Sequence, residues 1–281
     1  MFLEREARPF VREAGAGAGV VCIHSSASSS AQWRPLMEHL SGRFRVLAPD
    51  LYGVGKSPAW PAGRTLSLDD EVRLLGPVLR SAGERFHLIG HSYGGAVALR
   101  AALVHREQLG SLVLVEPALF ALLFAEDPAQ PAAREIAALR DATVAALEHG
   151  DLAGAAEPFV DYWTGAGAWA GTPASRCVAI ANAMIKVKAE WHALFTEPTP
   201  LASFARLDVE TTLVVGSASP ASSKGVARLL ARTLPRVTVV ELRGTGHMSP
   251  ITHPDLVKTA IDAHLVRVSA IRQPVTWART A

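Results

Sequence analysis

The run Gly90-His91-Ser92-Tyr93-Gly94-Gly95 sets a serine among glycines, directly after the apolar stretch Phe86 to Ile89 and directly before the small-residue stretch Ala96 to Leu103. A strand enters, a tight turn follows and a helix leaves, which is the pattern of the G-x-S-x-G nucleophile elbow. Glycines on either side remove Cβ atoms that would collide in so sharp a turn. Ser92 then stands exposed at the strand end, and the unpaired N-H groups and positive dipole end of the next helix face any negative charge that develops beside it. The alternative is a glycine-rich turn with an incidental serine. A serine hydroxyl attacks only with the help of a base, most often a histidine held in its working tautomer by a carboxylate. Gly244-Thr245-Gly246-His247-Met248-Ser249-Pro250 follows the last strand-like run, so His247 is the candidate base. His253 competes by proximity, but its place in Thr252-His253-Pro254 fits the residue before a helix-opening proline.

For these groups to meet, the chain must bring several strand ends to one edge. Short β-branched runs at Val20 to His24, Arg45 to Asp50, Ser111 to Val115, Thr211 to Val215 and Val237 to Glu241 predict buried strands. Helical patterns fall between them at Gln32 to Leu40 and Ser67 to Ala82, and Pro254 to Val266 closes the series. Phe2 to Glu6 and Arg8 to Glu13 read as an opening antiparallel hairpin. This alternation predicts an α/β fold, a mostly parallel doubly wound sheet of about eight strands whose ligand site lies beyond the carboxyl ends of the strands. His24, Ser92, Glu116, Ser217 and Gly244 all lie at or beyond such ends.

One stretch breaks the alternation. Residues 118–205 are alanine-rich and helix-like, and read as a helical lid inserted after the sixth strand, leaving 1–117 and 206–281 as the core. The insertion carries Phe120, Phe124, Phe159, Tyr162, Trp163, Trp169, Trp191 and Phe195. Aromatics of this kind either glue helices to a core or line an apolar pocket. Phe120, Trp163 and Trp191, together with His24 at its strand end, are the candidate substrate-binding residues.

Composition narrows the function classes. With 49% hydrophobic and 19% charged residues, the 281-residue chain can bury a large core. Its 28 basic and 26 acidic residues are spread along the chain, so no basic stripe points to nucleic acid. Charges interrupt the first residues where a signal peptide would be apolar, and the longest greasy stretch, Leu112 to Ala125, contains Glu116 and Pro117. The expectation is a cytoplasmic protein without a membrane span. Cys22 and Cys177 are far apart and lack metal-ligand spacing, so neither a disulfide framework nor a metal site is expected, and no cofactor is called for.

The order of elbow, lid and late histidine resembles the α/β-hydrolase fold superfamily over essentially the whole chain. The supporting residues are Val20 to His24 with Ser25-Ser26 and Trp33, then Pro49 to Ser57, Gly90 to Gly95 and Gly244 to Pro250. The resemblance implies an oxyanion hole from the backbone N-H groups of Ser26 and Tyr93. Ser25 stands where that superfamily usually has a glycine. The usual acid is also displaced: the expected Gly-x-x-Asp reads Gly216-Ser217-Ala218-Ser219. Some members carry the acid one strand earlier, and there this chain has Val115-Glu116-Pro117, so Glu116 is the candidate acid. Otherwise it caps the strand exit or pairs with a lid arginine. Asp208 and Glu210 start their strand at its wrong end, and Asp50 more often organises the loop from Tyr52 to Ser57.

The implied activity is that of a serine hydrolase, a carboxylesterase acting on a small to medium apolar ester. Carbon-carbon bond hydrolysis, hydroxynitrile cleavage and perhydrolysis use the same residues on this fold, and a ligand-binding member without catalysis is the remaining alternative. The oligomeric state is not legible.

Overall fold

The computed structural model describes residues 7–271. The strand-like runs form β1 (Val11–Ala14), β2 (Ala18–Ile23), β3 (Phe44–Pro49), β4 (Phe86–His91), β5 (Leu109–Val115), β6 (Thr211–Gly216) and β7 (Val237–Leu242). They make one seven-stranded sheet in the order β1-β3-β2-β4-β5-β6-β7. β1 runs antiparallel to β3, and every other pairing is parallel. Successive residues of β5 serve opposite faces. Leu112 and Leu114 join one hydrophobic cluster while Val113 and Val115 join the other, as the period of two requires.

Between the strands lie α1 (Arg34–Leu40), α2 (Leu68–Ser81) and α3 (Tyr93–Val104), and between β5 and β6 come α4 (Ala121–Glu126), α5 (Pro131–Glu148), α6 (Leu152–Thr164) and α7 (Ala174–Thr196). The chain finishes with α8 (Ala221–Thr233), α9 (Ser249–Thr252) and α10 (Pro254–Ile271). The helix predicted from Ser67 begins with a capping box, in which Ser67 Oγ accepts from the Asp70 N-H and Asp70 accepts from the Ser67 N-H. No helix among the described residues is long and apolar enough to cross a membrane.

Three expectations change. Seven strands stand among the described residues, not about eight, and the Phe2 to Glu6 element lies outside them. The segment read as its hairpin partner contributes β1, which pairs with β3. Consequently the helical insertion follows β5, the fifth strand in chain order among the described residues. β7, which reads like the central strands, is an edge strand with Val239 53% exposed, because no described strand lies beyond it.

The topology sets the site. From β2 the chain moves outward to β3 and then returns to place β4 on the other flank, so the order reverses between β2 and β4. Loops leaving neighbouring strands at such a switch point diverge and leave a crevice. Here those loops carry Ser25-Ser26 and Ser92.

Candidate active site

Ser92 joins β4 to α3 with φ 54° and ψ −118°, a left-handed backbone that a non-glycine residue adopts only under constraint. The flanking glycines explain how the turn closes. A Cβ on Gly90 would lie 2.3 Å from the Gly94 carbonyl oxygen, and one on Gly94 would lie 2.4 Å from that of His24. Among the described residues, the non-glycine residues with positive φ are Ala27, Ser92 and Glu116, and all three belong to this site.

His247 reaches Ser92 from the loop after β7, its Nε2 lying 2.9 Å from Ser92 Oγ. Its Nδ1 lies 3.3 Å from Glu116 Oε2 and 2.9 Å from Ser223 Oγ, so the Nδ1 proton is shared between a carboxylate and a hydroxyl. Glu116 is wholly buried at the end of β5. Its other oxygen accepts hydrogen bonds from the Gly216 N-H and, at 2.6 Å, from Ser219 Oγ. Burial works to raise the Glu116 carboxyl, but His247, the Gly216 N-H and Ser219 outweigh it and hold the group below the ordinary carboxylate range. Ser219, at the place where the resemblance leads one to look for an acid, donates to the carboxylate arriving from the neighbouring strand.

The other acids and histidines fall elsewhere. Asp50 Oδ1 accepts from the Ser30 N-H and its carbonyl accepts from Ser57, so it organises its own loop. Glu210 pairs with Arg236 at the opposite end of β6. His253 is exposed and bonds to Thr252.

Ser25 and Ser26 border the same cavity as Ser92 and His247. The loop makes its left-handed turn at Ala27 (φ 49°), so position 25 needs no glycine. Instead Ser25 donates through both N-H and Oγ to Gln32 Oε1, at 3.2 and 2.9 Å. Gln32 Nε2 in turn donates to His91 Nδ1 at 3.0 Å, and His91 Nε2 donates to the His247 carbonyl at 2.9 Å. A continuous chain of bonds thus joins the Ser25 loop to the His247 loop. Tyr93 opens α3, where its backbone N-H has no carbonyl in the preceding turn. Its side chain is buried on the other side, donating to Glu71 at 3.3 Å.

Phe120, Trp163 and Trp191 line the cavity, with Phe159 and Leu194. The cavity measures about 160 Å³, close to the volume that admits a single benzene ring. Trp163 lies against His247 with ring centroids 4.1 Å apart. Phe124, Tyr162 and Phe195 pack behind this wall, and Tyr162 bonds to Glu135 and Ser222. A wider surface groove adjoins the cavity and shares Ala27, Ser28, Arg176 and Ile251 with it.

His24 is a correction. It is buried outside the cavity wall, with Nδ1 donating to the Ser25 carbonyl at 2.8 Å and Nε2 accepting from the Leu51 N-H at 3.1 Å. Both nitrogens are used by backbone, leaving none for a substrate. Gln32, His91 and Ser223 carry no sequence signal for their places at the site, because each acts through a contact between distant segments.

His24 and His91 make the fold acid-sensitive. Burial pushes the His24 imidazole down to about 4, and burial with the neighbouring His247 pushes His91 down to about 3, from an ordinary 6.5. Above that ordinary value both rings are neutral whether folded or unfolded, and stability is level. Below it the unfolded chain takes up protons that the folded chain refuses, so stability falls by about 1.4 kcal/mol per pH unit for each ring until the folded values are reached. Denaturant titrations should show the unfolding midpoint steady from pH ~8 to ~7 and dropping steeply by pH ~5; a flat profile would contradict the buried neutral assignment.

Comparison with known proteins bears on the fold. The family model described as alpha/beta hydrolase fold matches residues 19–254. The lipase LipV of Mycobacterium tuberculosis is 38% identical over 102 residues, 36% of this chain and 38% of the lipase. A 2-hydroxymuconate semialdehyde hydrolase of a Pseudomonas species is 36% identical over 112 residues, 38% of this chain and 39% of that enzyme. The chain thus matches well under half the length of these two relatives. The crystal structure of an alpha/beta hydrolase from Sphaerobacter thermophilus superposes with a TM-score of 0.71 at 24% identity, covering 91% of this chain and 95% of the other.

Proposed function

The chain belongs to the alpha/beta hydrolase fold family, and from that premise we propose that it is a serine hydrolase, a carboxylesterase that cleaves small apolar esters through an acyl-enzyme. The observation that carries this reading is the line from Ser92 Oγ through His247 to Glu116, with the histidine Nε2 2.9 Å from the hydroxyl. Ser92 Oγ attacks the ester carbonyl as its proton passes to His247 Nε2. The oxyanion is met by the N-H groups of Ser26 and Tyr93, and donors fixed on the backbone need no reorganisation as charge develops. His247 then gives the proton to the departing alkoxide. A water molecule, deprotonated by the same nitrogen, attacks the acyl-enzyme and frees the acid and Ser92.

Glu116 keeps the proton of the imidazole on Nδ1 and favours the imidazolium that forms. The indole face of Trp163 adds to this, since an aromatic ring attracts a cation lying over it. Helices α4 to α7 serve as the lid, and Phe120, Trp163 and Trp191 present the apolar surface that favours ester over charged substrate. The cavity volume favours short acyl chains.

A fluorophosphonate probe tests the reading directly, because it reacts with a serine only when an adjacent base activates it. The expected result is one covalent adduct, mapped by peptide mass spectrometry to Ser92, with para-nitrophenyl ester turnover highest for acetyl to butyryl chains. Absence of the adduct from folded protein would end the serine hydrolase reading.

A further inference from the structure

The two proposed oxyanion donors stand on separate segments, and the fold holds them by different means. Tyr93 opens α3, and its hydroxyl donates at 3.3 Å to Glu71, part of a buried cluster in which Lys186 Nζ lies 2.6 Å from Glu71 and 3.4 Å from Glu190. Ser26 lies instead in the turn after β2, one residue before Ala27. The φ of 49° at Ala27 is a left-handed backbone that an alanine keeps only where its surroundings impose it. Gln32 supplies that constraint. Its Oε1 accepts from both the N-H and the Oγ of Ser25, the residue directly before the donor, at 3.2 and 2.9 Å.

The string from Gln32 to His247 has only one direction. A backbone N-H can only donate, so the Ser25 N-H fixes which end of the Gln32 amide is the carbonyl and turns the NH₂ toward His91 Nδ1. Nδ1 must then be the bare nitrogen, and the proton sits on Nε2, where the His247 carbonyl accepts it at 2.9 Å. This is one tautomer of a neutral imidazole. Burial, with His247 as a neighbour, pushes His91 down to about 3, so the string keeps its direction while the His247 ring, 5.4 Å away between centroids, takes up and releases the Ser92 proton. Its two ends are the loops that must be correctly spaced. In the transition state one substrate has to meet the Ser26 N-H with its oxyanion and His247 Nε2 with its leaving oxygen, and a misplacement of about 1 Å costs about 10²-fold in rate.

We propose that Gln32 is a positioning residue: through Ser25 on one side and His91 on the other, it sets the spacing between the Ser26 oxyanion donor and the His247 base. This rests on the ester-hydrolase reading and deepens it, because it makes a neutral amide on the surface-groove side of the loop a determinant of kcat. Gln32 acts through its neighbours, and its loss should therefore weaken the transition state more than the bound ester.

The test is Gln32→Met, which fills the same half-buried position but can make none of the bonds to Ser25 and His91. Turnover is measured on para-nitrophenyl butyrate and on the matching thionoester, whose sulfur accepts N-H bonds poorly, so that the advantage of oxygen over sulfur reports the oxyanion hole. Gln32→Met should lower kcat on the oxygen ester by about 10- to 100-fold with KM nearly unchanged. The oxygen-over-sulfur advantage should shrink by at least about three-fold. Ser25→Ala, which removes only the Oγ bond, should show the same pattern at smaller size and add little on top of Gln32→Met, because both act through one string. If Gln32→Met fails to fold, the oxygen-over-sulfur ratio of Ser25→Ala decides alone. A residue that only stabilised the loop would shift the unfolding midpoint and leave that ratio as in the wild type. An unchanged ratio, or losses that multiply in the double variant, would overturn the proposal while leaving ester hydrolysis intact. No turnover of either ester by the wild type, with no probe adduct on Ser92, would instead remove the ester-hydrolase reading and this proposal with it.

Discussion

Ser92→Ala is expected to lower kcat on para-nitrophenyl butyrate by about 10⁵- to 10⁶-fold, with little change in KM. On the proposed mechanism the variant loses only the atom that would form the bond to the substrate. Alanine tolerates the left-handed backbone at position 92 about as well as serine does, and the glycine contacts that close the turn are untouched. The Ser26 and Tyr93 N-H groups remain, so a residual rate of about 10³-fold over the uncatalysed reaction is consistent with the reading. The unfolding midpoint should stay near that of the wild type, which separates lost chemistry from lost structure. Retention of even about a hundredth of wild-type kcat would mean that another group is the nucleophile.

Glu116→Gln is expected to cost about 10³- to 10⁴-fold in kcat at neutral pH. The size follows from the bonds around the carboxylate. The Gly216 N-H and Ser219 Oγ both donate to one oxygen, so a glutamine would keep its carbonyl there and turn its NH₂ toward His247. An NH₂ facing Nδ1 favours the tautomer in which Nδ1 accepts and Nε2 carries the proton. That imidazole cannot take a proton from Ser92. Ser223 softens the loss, because its Oγ, 2.9 Å from Nδ1, can accept the Nδ1 proton and hold the working tautomer part of the time. Adding Ser223→Ala to Glu116→Gln should therefore lower kcat further. If Ser223→Ala alone lowered kcat more than Glu116→Gln alone, the orienting role would belong to the serine and not to the glutamate.

What the sequence carried was whatever its local pattern encodes. The central strands β2 to β6 show as β-branched runs because they are covered on both faces, and the Ser92 turn shows because glycine is required where backbones approach within van der Waals distance. β7 shares the same run of residues yet lies at the edge, since nothing in a strand's own composition says how many neighbours it will have. His24 stood at the right strand end for substrate contact, but its ring turns toward the Leu51 N-H, a partner 27 positions away. Glu116 was readable only through the absence of an acid at Ser219 and the resemblance to a family. The Gln32 bridge, the Ser223 contact and the Glu71, Lys186 and Glu190 cluster were not readable at all. Each joins segments whose proximity is decided by topology, and single polar residues on helices carry no periodic signal of such a meeting.

The meeting of Glu116 and Ser219 also bears on how such a protein changes over generations. Two loops from adjacent strands meet there, their side chains 2.6 Å apart, so on the proposed mechanism the acid's address in the chain is not fixed by the fold. A lineage can shift it from one loop to the other by two point changes without moving a strand. The passage is narrow, because an intermediate with both acids sets like charges in contact and one with neither leaves the histidine unguided. Ser223, able to hold the imidazole in the interval, widens it.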